Sequence, residues 1–227
     1  MRAGEVIGEA WAYYKAHWRH LLPIAFIVYL LLALFSLALV ALLGWFGLVA
    51  SIFVALAGVF WLQGALVVAI EDVRDGRADL SIGQTLSRVR PRINTLGIAG
   101  LLAALGIMIG LVLLIVPGLV LATWWAVIIP VIMLEGASVG RAFGRSRELV
   151  RGHGWSVFGL IVLTFLILVA AGIVLDLILS PLDDSIQTYI GDVISNTLSA
   201  PFVALAFTLA YYRLRSAETA AEPAAAP

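Results

Sequence analysis

The sequence predicts an all-α polytopic membrane protein: six transmembrane helices in three hairpins, each preceded by a cytoplasmic amphipathic interfacial helix. Three observations lead there. The 227 residues are 63% hydrophobic and 12% charged, with a mean hydropathy of +1.07; a soluble domain is nearer half apolar and a quarter charged. Several nearly uncharged runs reach about twenty residues, the length a helix needs to cross the bilayer core. Finally, every Lys and Arg falls in four segments that alternate with connections lacking any base.

Residues Gly4–His20 are polar but patterned, with Val6, Ile7, Ala10, Trp11, Tyr14 and Trp18 at helical spacing. Aromatics on such a helix suit the headgroup layer, where ring and polar edge meet different media. Span 1 is expected over Leu21–Leu43 and span 2 over Phe46–Ile70, joined at Gly44–Gly47. The first apolar run begins only at Leu21 and lacks a small-residue cleavage site, so no signal peptide is expected. Glu71–Asn94 is a second polar segment with its own apolar stripe, Leu80, Ile82, Leu86, Val89 and Ile93. Span 3 follows over Thr95–Val116, and Pro117-Gly118 is read as the turn, since proline presets φ and glycine accepts positive φ. Span 4, Leu119–Leu134, contains Pro130 and is expected to kink near its inner end. Its adjacent Trp124 and Trp125 are placed in the outer half. Glu135–Gly154 is the third polar segment. Span 5 runs over Trp155–Leu179, and the Ser180–Asp192 connection carries acids but no base. Span 6 covers Val193–Tyr212, and residues 216–227 form a disordered tail.

Six spans place both termini and the 2–3 and 4–5 loops on one side, which is where all fourteen bases lie. Short basic loops stay cytoplasmic, so a multi-pass protein of the bacterial inner membrane with both termini inside is expected. An odd number of spans would destroy that partition.

The chain also repeats itself. Ile7-Gly8-Glu9-Ala10-Trp11, Ile82-Gly83-Gln84-Thr85-Leu86 and Val139-Gly140-Arg141-Ala142-Phe143 share the order aliphatic, Gly, polar, small, large apolar. Each opens a basic amphipathic stretch leading into a pair of spans. One membrane domain over residues 1–215 therefore divides into parallel units of about 4–71, 79–136 and 137–215, unlike the inverted repeats of many transporters.

The run through Pro117-Gly118, Pro130, Leu134-Glu135-Gly136, Ala142, Ser146, Leu149-Val150, Gly152 and Trp155 resembles a family of bacterial multi-pass proteins. That family includes the membrane domain preceding the catalytic barrel in some glycerophosphodiester phosphodiesterases. Pro201-Phe202 and the later Tyr211-Tyr212-Arg213-Leu214-Arg215 look like its closing motif. The resemblance implies a six-span membrane domain connected with lipids or the envelope. No catalytic barrel follows Arg215 here, so the phosphodiesterase activity is not expected.

Chemistry-bearing constellations are sparse. There is no cysteine, and His17, His20 and His153 stand in no metal-binding or catalytic motif. No catalytic residues, metal ligands or cofactor are expected, and the zero net charge does not suggest nucleic acid. Glu135 stands where span 4 ends, with Arg141 and Arg145 one turn apart just beyond. Glu135 is expected to pair with an arginine and fix this elbow, while Arg88, Arg90, Arg141 and Arg145 are candidates for anionic headgroups. Gln63, Asp176 and Asn196 are the polar positions within spans. Interhelical hydrogen bonds are expected for Gln63 and Asn196, and an interfacial position for Asp176. These features predict a non-enzymatic inner-membrane protein, lipid- or envelope-associated or supporting a membrane partner. A small permease or channel is the alternative, and a lipid-acting membrane enzyme a more distant one. Membrane lipids with anionic headgroups are the expected partners, with a protein partner or self-association open.

Overall fold

The computed structural model describes residues 2–74, 80–181 and 184–221, without the side chains of 184–190 and 221. The middle of the second polar segment, part of the Ser180–Asp192 connection and residues 222–227 thus lie outside the described residues. Six helical stretches are long and apolar enough to cross a membrane.

The interfacial helix and span 1 merge into one helix, α1 (Ala3–Leu43), bent at His17, where φ −123° and ψ 16° leave the helical region. Pro23, which has no N–H for the Arg19 carbonyl, interrupts the ladder one turn beyond. Helix α2 (Trp45–Arg74) returns after Gly44. The short α3 (Ile82–Val89) opens on a capping box: Ser81 Oγ accepts from the Gln84 amide, and Gln84 Oε1 accepts from the Ser81 amide. This satisfies two amides that helix geometry leaves open. Buried Asp72 accepts from the Leu80 amide at 3.1 Å, fixing the start of α3 to the end of α2. A 3-10 turn, Arg90–Arg92, leads into α4 (Ile93–Leu113).

The next turn is not at Pro117-Gly118. The chain turns at Leu114, which is extended at φ −157° and ψ 130°, and α5 (Ile115–Trp124) begins at once. Pro117 lies in the first turn of α5, where a missing N–H costs nothing because no carbonyl precedes it within the helix. The kink expected near Pro130 falls at Trp125–Val127, and α6 (Ile128–Leu134) resumes beyond it. Proline at 130 excludes a normal bond to the Ala126 carbonyl, so the helix breaks one turn earlier. Helix α7 (Val139–Val150) packs back against α6, and α8 (Gly154–Leu179) and α9 (Asp184–Ala221) complete the bundle. Residues 216–221, expected to be disordered, continue α9 as helix.

The core is confined to one end. Leu21, Ile24, Leu66, Ile70, Leu96 and Ile132 are fully buried there, against Leu160, Leu205 and Leu214. At the same end Ala10, Thr85 and Ala142, which hold equal places in the three repeated pentapeptides, are all fully buried. Toward the other end the helices keep only their chain neighbours. Beyond Val28, α1 has no buried residue, only a partly covered stripe of Tyr29, Leu32, Ser36 and Leu39. Leu32 meets Gly58 of α2. Beyond Thr164, α8 likewise keeps only Leu168, Gly172, Leu175 and Leu179 partly covered. In a bilayer the remaining faces meet lipid tails, which match leucine in polarity, so no hydrophobic force draws these halves together.

Candidate functional site

The closed end carries a polar cluster built around the last turns of α9. Tyr211, Arg215 and Glu218 recur at i, i+4 and i+7 and so share a face. The Tyr211 hydroxyl donates to Glu135 Oε1 at 3.0 Å, and Arg215 Nη1 donates to the Tyr211 oxygen at 3.4 Å. Arg145 joins α7 to two acids at once. Its Nε donates to Glu135 Oε2 at 3.1 Å, while Nη1 and Nη2 grip both oxygens of Glu218 at 2.6 Å. Such a two-pronged pair fixes direction as well as charge. The bonds to Glu218, and then those to Glu135, hold the Arg145 guanidinium above even the usual arginine range against the opposing effect of burial. Glu148 adds a longer contact at 3.7 Å.

The neighbouring residues of α9 reach the other helices. Arg213 donates to Glu9 Oε2 at 2.7 Å and to Glu5 Oε2 at 3.1 Å, clamping the first helix to the last. Tyr14 strengthens that clamp by donating to the Leu198 carbonyl at 3.0 Å, and Phe202 packs edge-on against Trp11 and Tyr14. On the α2 side, the Arg74 guanidinium lies 3.7 Å from the centre of the Tyr212 ring. Arg92 Nη1 donates to the Gly136 carbonyl at 2.9 Å, joining the second polar segment to the third. Gly136 is left-handed at φ 65°, and a Cβ there would meet Arg92 Nη2 at 2.7 Å, so only glycine allows the elbow to turn under this arginine.

The arginine that pairs with Glu135 at the elbow is Arg145. Arg145 is engaged by acids and is not free for headgroups. Arg88, Arg90 and Arg141 are exposed, with no acid partner among the described residues. The span positions stand on three different helices, α2, α8 and α9. Gln63 is partly buried on α2 and forms no hydrogen bond among the described residues. Asn196 is exposed and donates to the Asp192 carbonyl of its own helix at 2.8 Å, and the interhelical bond expected of it is not found among the described residues. Asp176 is exposed toward the far end of α8.

Trp124 and Trp125, placed by sequence in the outer half of span 4, lie under α7. Trp125 packs edge-on against Phe143, Ser146 Oγ donates to the Trp124 carbonyl at 2.8 Å, and Arg147 covers the Trp124 ring at 4.1 Å. The break at Trp125–Val127 makes this possible, because a carbonyl freed from the helical ladder needs another donor. Sequence reasoning noted Tyr211-Tyr212-Arg213-Leu214-Arg215 only as a closing motif. The same-face spacing of Tyr211, Arg215 and Glu218 was the signal that could have revealed its role.

No family model, curated protein or solved structure matches the chain.

Replacing Tyr211 with Phe removes one bond to a carboxylate and one from a guanidinium while keeping the ring. Thermal unfolding of the purified protein should show a loss of about 1–2 kcal/mol; an unchanged midpoint would mean the hydroxyl contributes nothing to the cluster.

Proposed function

We propose that the chain is a non-enzymatic protein of the bacterial cytoplasmic membrane, with both termini and the polar cluster on the cytoplasmic side. It engages anionic lipid headgroups there. The observation that carries this reading is the division of the arginines. Arg145 and Arg213 are held by the chain's own acids. Arg88, Arg90 and Arg141 stand exposed without an acid partner among the described residues, on the polar segments between spans. A base near an anionic surface contributes about 1 kcal/mol, so three acting together make a real preference. The exclusive placement of bases in alternate segments supports the cytoplasmic assignment. The resemblance carried by Pro117–Trp155 and Tyr211–Arg215 supports a lipid- or envelope-associated role in a six-span domain. A permease or channel has less support, because Asp176 and Asn196 are exposed, Asn196 bonds its own helix, and the closed end is filled by Leu, Ile and Val.

The test compares protein reconstituted in phosphatidylcholine with and without phosphatidylglycerol. The anionic lipid should raise the unfolding temperature, less so in high salt. Arg88→Gln, Arg90→Gln and Arg141→Gln together should reduce that rise and its salt dependence. The same rise in the triple variant would refute the reading.

A further inference from the structure

The turn from α7 into α8 leaves an open groove of about 570 Å³ against α5. This lies within the range of about 300–1,000 Å³ typical of small-ligand sites. One part is apolar, lined by Val116, Leu119, Val120 and Phe158. Its other part is formed by Gly152, His153, Trp155 and Ser156, where α8 starts without a side-chain cap. The lining residues include no acid. Two arginines flank this polar part. Arg147 lies over the ring of Trp124, itself a lining residue, and Arg151 immediately precedes Gly152. Both are exposed and have no acid partner among the described residues. Trp155 is 87% exposed beside the mouth, with Phe158 edge-on at 6.0 Å. An indole projecting from a membrane helix belongs at the headgroup level, where its ring and N–H meet different media.

We infer that this groove is a binding site for one anionic diacyl phospholipid, with an acyl chain along α5 and the headgroup phosphate held by Arg147, Arg151 and His153. The shape calls for a ligand with an apolar tail and a polar end, and the unpaired cations make that end an anion. Arg147 is already positioned by the Trp124 ring, so it loses little side-chain freedom on meeting a phosphate. The cap-free start of α8 adds the positive end of a 26-residue helix on the same side of the ligand. This inference rests on the lipid-engaging role proposed above and assigns it a site distinct from Arg88, Arg90 and Arg141.

Native mass spectrometry of the detergent-solubilised full chain with phosphatidylglycerol tests it, with phosphatidylcholine as the reference lipid. Wild type should retain a single phosphatidylglycerol preferentially. Val120→Trp fills the apolar part from a position 37% exposed, so the packed core is untouched; it should reduce the 1:1 adduct about tenfold. Arg147→Gln with Arg151→Gln should remove the preference over phosphatidylcholine. Arg88→Gln, Arg90→Gln and Arg141→Gln together should leave the adduct in place. If the adduct survives both groove variants and disappears in the triple variant, the groove is refuted and the general lipid role stands. If wild type shows no preference for phosphatidylglycerol, both fail. Folding is checked independently by circular dichroism, and a phosphatidylglycerol carrying a photoreactive acyl chain should label residues 116–124 and 152–158. Labelling confined elsewhere overturns the assignment whatever the variants do.

Discussion

Arg145→Ala should be among the most destabilising changes at the polar end, although the residue lies outside every membrane-spanning stretch. It removes the charged partner of Glu135 and of Glu218 in one step, leaving the Tyr211 hydroxyl on Glu135, whose side chain is only 21% exposed. A hydrogen bond to a charged group contributes about 1.5–3 kcal/mol, and leaving the acid uncompensated adds to the loss. Solvent at the half-open Glu218 reduces its share to under about 1 kcal/mol. The expected loss is therefore about 2–3 kcal/mol, seen as a lower unfolding temperature in detergent. Arg145→Lys keeps the charge but cannot grip two carboxylates in a planar fork, so it should fall between wild type and alanine. If Arg145→Ala loses no more than Arg141→Ala, the cluster has no structural role.

Gly118→Val should be as damaging, by a different mechanism. Helices α4 and α5 meet backbone to backbone near their turn. A Cβ on Gly118 would lie 2.6 Å from the Leu111 nitrogen, and one on Gly110 would lie 2.8 Å from the Gly118 Cα. Backbone cannot swing aside as a side chain can, so valine must force the two helices apart. Overpacking of this kind costs about 1–3 kcal/mol or more, and without a hydrophobic force between spans in lipid the lost close packing has no substitute. Gly97→Ala is the control. It lies in the same α4, nothing stands within 4 Å of its added Cβ, and helix propensity alone favours alanine by about 1 kcal/mol. Equal effects of the two changes on thermal unfolding would show that α4 and α5 do not depend on this contact.

The spans were legible because the bilayer imposes a length and a polarity on each one. The α5–α6 break was legible too, since Pro130 has no N–H to donate to the Ala126 carbonyl. Pro117 misled because the same residue serves a turn and the first turn of a helix, and only the extended conformation of Leu114 decides between them. At the site, the sequence pointed to an arginine partner for Glu135 at the elbow but left open which one, and only the fold of α7 singles out Arg145. The partners Tyr211 and Glu218 lie 76 and 73 residues from the groups they bind, and their same-face spacing marks a polar face of α9 without naming those groups. Reading 216–227 as disordered failed for residues 216–221 because alanine favours helix and Glu218 finds Arg145 across the bundle. The groove escaped notice because α5 and α8 meet only after α7 has folded back against α6.

The clamp between Arg213 and the Glu5–Glu9 turn also sets an order of events. A ribosome releases the first helix long before the last, so Val6 and Ala10 emerge without the helix that finally covers them. Each early pair of helices can insert with its own partner, yet the packed end closes only once α9 has been made. Glu5 is thus made long before Arg213, and a contact that spans 208 residues can be secured only late in synthesis.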